Sequence, residues 1–249
     1  MSKQRLIALD ALRGLALVQM ILYHALWDGV FLFGWNIPWF HTNAAFVWQQ
    51  VICCTFILLS GFCLCFSRRP VRHGLIVFGW GGMLSLVTLL IIPENRVLFG
   101  VLTLLGSCMV LVGLTARWLK KLPSLPCAIV CFILFCFTRN SAAGSWGLGA
   151  FSLSLPASWY KSWISTYLGF PMPGFFSTDY FPLIPWLFLF CLGFFLHGIC
   201  QQKPALLRIF QQFPEPVLPW IGQHSLVIYL LHQPVIYLSV WGISSLFAT

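Results

Sequence analysis

Four ionisable side chains fall in the first long apolar stretch of the chain: Asp10, Arg13, His24 and Asp28. Charged groups in hydrocarbon are costly, and those that persist there mark relays, ligand counter-ions or catalytic groups. On a helix turning about 100° per residue, all four fall within about a third of the circumference. They form one polar stripe suited to the interior of a bundle. Asp10 and Arg13 are three residues apart and can pair. Asp28 follows His24 by four, a spacing at which a carboxylate could hold the imidazole in one tautomer. Arg13 and His24 are ~16 Å apart along the axis. His24 is the candidate functional group of that stripe, with Arg13 and Asp10 at its cytoplasmic end. The competing reading is a polar helix face that stabilises a bundle while Arg13 snorkels.

The other histidines differ in their surroundings. His41 lies in the loop Trp39-Phe40-His41-Thr42-Asn43. His232 sits in Tyr229-Leu230-Leu231-His232-Gln233-Pro234, where Pro234 frees a backbone carbonyl that His232 or Gln233 could satisfy. That position is compatible with a kinked helix or with a site lining. His224 reads as a helix N-cap region, and His73 and His197 as structural groups near helix C-termini. No set of His, Cys, Asp and Glu has metal-ligand spacing, so no metal is expected. Walker and Rossmann patterns are absent.

The elements that must position these residues follow from composition. Of the 249 residues 59% are apolar and 8% charged, with 24 Phe and 12 Trp. A soluble domain carries about 25% charged residues. Lipid is therefore the expected solvent, and the fold class an all-α polytopic transmembrane bundle. About seven spans are expected, at roughly 12–33, 44–66, 75–92, 97–116, 119–137, 181–200 and 220–247. The fifth is interrupted by Pro123 and Pro126. No period-2 alternation supports a barrel.

The net charge of +9 suggests no nucleic-acid partner, because the basic residues cluster between apolar runs. With the N-terminus cytoplasmic, Lys3, Arg5, Arg68, Arg69, Arg72, Arg117, Lys120, Lys121, Lys203 and Arg208 lie inside. Only Arg96, Arg139 and Lys161 lie outside, and ten against three satisfies the positive-inside rule. The N-terminal segment has no convincing cleavage site and is expected to remain as a helix. The ten cysteines include no CxxC pair and read as small hydrophobes.

Residues 138–180 form a long outer loop rich in Gly, Ser, Pro and aromatics, within what reads as a single domain over 1–249. A structureless loop of that length is improbable without a role. It reads either as a lid at the interface or as an aromatic belt.

Leu9-Asp10-Ala11-Leu12-Arg13-Gly14-Leu15-Ala16, followed by His24, resembles the opening of the transmembrane acyltransferase superfamily. Its members share a first-helix Arg and His with the spacing of Arg13 and His24. Leu58-Leu59-Ser60-Gly61-Phe62 resembles the small-residue turn of its second helix. Asp179-Tyr180-Phe181-Pro182-Leu183-Ile184-Pro185-Trp186 and the run from Ile221 to Pro234 resemble the bacterial branch carrying the heparan-alpha-glucosaminide N-acetyltransferase catalytic domain.

The resemblance implies transfer of an acetyl or other acyl group from cytoplasmic acyl-CoA to an acceptor reached from the other side. Acyl-CoA would be a co-substrate, with no permanently bound cofactor. The lysosomal relative has its catalytic His in the loop after the first helix, which His41, twenty residues before Gly61, matches approximately. That relative has Asn at the position of His24. The base is therefore His24 or His41, with Asp28 beside the former. The acyl-CoA site would draw on Arg13, Arg68, Arg69 and Arg72, with Lys120 and Lys121 also on that face. Asp179, Tyr180, Trp186, His232 and Gln233 are assigned to the substrate. The expected acceptor is a hydroxyl or amine of an extracytoplasmic glycan, although heparan sulfate does not carry over to so short a chain.

The expected setting is the plasma membrane, with lipid as partner and a homo-oligomer compatible. The competing class is a transporter using the same polar stripe, but its two halves should match, and no matched halves occur in the sequence.

Overall fold

The computed structural model describes residues 6–149, 151–203 and 214–247. Lys3, Arg5 and Arg208, assigned above to the cytoplasmic side, lie outside the described residues. Seven helices are long and apolar enough to cross a membrane, and the strands described form a single two-stranded hairpin. The helical bundle expected from composition is therefore present. The chain divides into two compact units. The first comprises residues 1–56 with 203–249, and the second residues 57–202.

The first unit is built on α1, Ile7–Phe31, a 25-residue helix about 37 Å long. It ends where Gly34 takes a positive φ of 70° and the Trp35 amide turns back to the Gly29 carbonyl at 2.8 Å. A 3-10 turn, Pro38–His41, leads into α2, Asn43–Leu64. Leu17, Met20 and Ile52 form a buried cluster with Trp48, Ile221, Ile228 and Tyr229 packed on it. The Trp48 indole donates to Gln19 at 2.9 Å, so its one polar atom is satisfied inside that packing.

The second unit contains α3 (Pro70–Ile91), α4 (Val101–Leu119), α5 (Ser124–Thr138), α6 (Trp163–Leu168) and α7 (Leu183–Gln201). Pro123 and Pro126 do not interrupt a helix. They lie just before and inside the first turn of α5, where the missing amide hydrogens have no intrahelical role. Gly61 is not at a turn either. It lies within α2, where an added Cβ would stand 2.0 Å from the Phe190 carbonyl oxygen, and Gly193 meets Leu58 in the same way. Small residues let these two backbones touch, as in many membrane helix pairs.

Residues 138–180 are not structureless. They hold the antiparallel strands β1 (Ser145–Leu148) and β2 (Phe151–Ser154), followed by α6 with a Ser162–Ser165 capping box. Ser141 is fully buried and anchors the segment, accepting from the Trp146 indole at 2.8 Å and, through its carbonyl, from Tyr160 at 2.6 Å.

The final span also departs from expectation. The chain forms two helices there, α8 (Val217–Gln223) and α9 (Ser225–Phe247), separated at His224. The reason is packing in the first unit. A Cβ on Gly14 would lie 2.0 Å from the Leu218 oxygen, and one on Gly222 would lie 1.9 Å from the Asp10 oxygen. The paired order shows that α8 runs antiparallel to α1. The His24–His232 and Trp35–Ser244 contacts show that α9 runs the same way as α1. One straight helix cannot do both.

Gly222→Ala should therefore lower the thermal unfolding temperature of detergent-purified protein by several degrees, since overpacking costs about 1–3 kcal/mol. Gly79→Ala has open space around its Cβ and should leave that temperature unchanged or slightly higher. Equal melting of the two variants would contradict the close α1–α8 approach.

Candidate functional site

The sequence places His24 and Asp28 one turn apart on α1, and His232 and Gln233 adjacent on α9. Across these helices they pair as two rungs. In the first, the His24 and His232 rings lie 5.0 Å apart with their planes at 60°. In the second, the Gln233 side-chain amide donates to both oxygens of Asp28, at 2.9 and 3.1 Å. Asp28 is fully buried. The expected His24–Asp28 contact along α1 is thus replaced by contacts between helices. Gln233 Oε1 is buried and, among the described residues, has no hydrogen-bond partner.

His232 is fixed further by its own helix. Its Nδ1 bonds to the Tyr229 carbonyl three residues earlier, and the two rings lie 5.2 Å apart. The carbonyl used is that of Tyr229, one residue before the Leu230 carbonyl left without a donor by Pro234. The signal for this backbone partner in the sequence is the three-residue spacing beside a helix proline.

Arg13 and Asp10 pair as their spacing suggests, Nη1 to Oδ1 at 3.5 Å, both largely buried. They lie on the turns of α1 that face α8 through Gly14. His41 is elsewhere. It ends the exposed 3-10 turn and rests against Phe31, ring centroids 5.5 Å apart. No contact among the described residues brings it to His24.

The remaining candidates belong to the second unit. Arg68, Arg69 and Arg72 are exposed around the turn between α2 and α3. Arg72 and His73 lie in the first turn of α3, so the C-terminal position expected for His73 is corrected to an N-terminal one. Its Nδ1 bonds the Ser67 hydroxyl at 2.9 Å. His197 lies near the C-terminus of α7 as expected, with its ring against Phe62 and Phe66. His224 closes α8, with Nδ1 donating to the Trp220 carbonyl at 2.8 Å.

Asp179 Oδ2 accepts from the Val101 amide at 3.2 Å and so caps the start of α4. The Tyr180 hydroxyl donates to the Thr166 carbonyl, and burial pushes its phenol above the ordinary tyrosine value. Trp186 is buried beneath the Arg139 guanidinium, 4.5 Å from its ring. Each of these three has a local structural partner. Among the described residues no group of three or more His, Cys, Asp or Glu could hold a metal ion.

Seven apolar helices, with a polar rung pair between the first and last, define a multi-pass membrane protein. The chain belongs to the family described as heparan-alpha-glucosaminide N-acetyltransferase, catalytic, whose model matches residues 5–234. Membership makes it a membrane transferase. No curated protein and no solved structure matches the chain.

The Asp28–Gln233 rung yields a stability prediction. Gln233→Leu leaves a buried carboxyl without its donor and should cost about 1–3 kcal/mol. Replacing both residues, Asp28→Leu with Gln233→Leu, should cost less than the sum of the single changes. A double-mutant cycle on thermal unfolding measures the difference. Additive effects would show that the bond contributes nothing.

Proposed function

We propose that the chain is one membrane-embedded acyltransferase domain that moves an acetyl or other acyl group from acyl-CoA to a hydroxyl or amine of a glycan-type acceptor. The observation that carries this reading is the His24–His232 rung set beside the Asp28–Gln233 rung, in a chain of the acetyltransferase catalytic family. A thioester is already activated. The protein must remove a proton from the acceptor and stabilise the tetrahedral oxyanion.

His24 is the base in this scheme. It is half-buried, lies in the polar contact between helices, and is free of side-chain hydrogen bonds among the described residues. His41, exposed and packed on Phe31, is assigned to the approach of the acceptor. Asp28 has a structural part in the site through Gln233 and does not contact the reacting atoms.

Gln233 Oε1, which has no donor among the described residues, and His232 line the substrate place. In the first unit Arg13 is the residue that would meet the acyl-CoA arm, and in the second unit the exposed Arg68, Arg69 and Arg72 are cations suited to phosphates. In the second unit Asp179, Tyr180 and Trp186 hold α4, α6 and α7. The N-terminus is placed in the cytoplasm by the count of basic residues, and the membrane is taken as the plasma membrane.

Purified wild-type protein incubated with radiolabelled acetyl-CoA and a panel of hydroxyl and amino sugars should transfer label to at least one acceptor. His24→Ala should reduce that rate by about 10²-fold or more, while His41→Ala should retain most of it. The reverse order would move the base to His41. No transfer by wild type, with solute uptake into proteoliposomes instead, would replace the enzyme reading with a transporter.

A further inference from the structure

In the structure Asp28 meets Gln233 with both of its oxygens and makes no hydrogen bond to His24 among the described residues. A base histidine still needs something to choose which nitrogen carries its hydrogen. The ring nearest to that task is His232, with its centroid 5.0 Å from that of His24.

The state of His232 is legible from one contact. A backbone carbonyl only accepts, so the bond between His232 Nδ1 and the Tyr229 oxygen requires the hydrogen on Nδ1. In the neutral ring Nε2 is then the nitrogen with the lone pair. Among the described residues Nε2 has no other hydrogen-bond partner, and neither does either nitrogen of the His24 side chain. A ring whose only acceptor nitrogen is unused therefore stands beside a ring with no fixed tautomer. Hydrogen bonds between catalytic groups are commonly long in a free enzyme and tighten when substrate is bound.

We propose that His232 is the positioning residue of the reaction: its Nε2 accepts the N–H of His24 and leaves the other His24 nitrogen as the base. This rests on the reading of His24 as the base. The acceptor oxygen or nitrogen forms a bond to the acyl carbon as its proton passes to the free nitrogen of His24. The carbon–sulfur bond then breaks, and the departing CoA thiolate takes that proton back from the imidazolium. The N–H donated to His232 is kept throughout. Gln233, next in sequence, sets the rotation of α9 through Asp28 and so keeps His232 on the face toward His24.

The decisive variants separate the two nitrogens of His232. In His232→Asn the amide N–H replaces Nδ1–H and can still bond the Tyr229 carbonyl, but nothing replaces Nε2. In His232→Gln the amide oxygen reaches toward the place of Nε2. With labelled acetyl-CoA and an active acceptor, His232→Asn should lose about 10-fold or more in kcat with little change in KM, and His232→Gln should recover part of that loss. Nitrogen-15 NMR of histidine-labelled wild type should show one tautomer at His24 and Nδ1–H at His232. The His24 signals should become a tautomer mixture in His232→Asn.

Wild-type kcat in His232→Asn, or mixed tautomers at His24 in the wild type, would overturn the proposal. The NMR measurement needs no substrate. It decides this inference even if no acyl transfer is found, an outcome that would count against the proposed function instead.

Discussion

The bond between Gln233 and Asp28 joins the last membrane helix to the first across 205 residues of sequence. A carboxyl wholly out of solvent is tolerated only where its oxygens are satisfied, and a single amide supplies both bonds here. That requirement sets the rotation of α9 against α1. Because His232 precedes Gln233 and His24 lies one turn before Asp28, satisfying the carboxyl also brings the two imidazoles together. The Asp28–Gln233 bond and the proposed His24–His232 site are neighbouring rungs of one arrangement.

A second constraint makes that arrangement reachable. Gly14 and Gly222 let α8 lie directly on the start of α1, so the chain reverses at His224 and returns as α9 along α1. A side chain at either glycine would push α8 outward and move the beginning of α9 with it. The second unit uses the same device at Gly61 and Gly193, between α2 and α7. Several of its polar groups lie in or near residues 138–180 instead. Asp179 caps α4, and Ser141 collects donors from Trp146 and Tyr160.

Much of this was legible from residue spacing. The seven spans follow from the length of the apolar runs, and the Arg13–Asp10 pair follows from a three-residue interval on a helix. The His24–Asp28 interval puts the two residues on one face of α1, whereas both side chains meet α9. Periodicity gives the face on which a residue lies but not the element that meets that face. The same limit hid the break at His224, since the residues from Trp220 onward are apolar enough for a single span and the reversal depends on a backbone contact with Gly14. Pro123 and Pro126 misled in the opposite direction, because a proline interrupts or begins a helix according to where the first turn falls. The order within residues 138–180 rests on contacts such as Tyr160 to Ser141, nineteen residues apart, which local pattern does not encode.

Family membership makes the chain a membrane transferase, and the acceptor's chemistry is the central question. Mass spectrometry of envelope glycans from cells with the protein, without it, and with its His24→Ala variant tests the proposed transfer most directly. The account requires an acyl mass increment on a glycan from cells carrying the wild-type protein and its loss in the other two. Identical glycans in all three would contradict it.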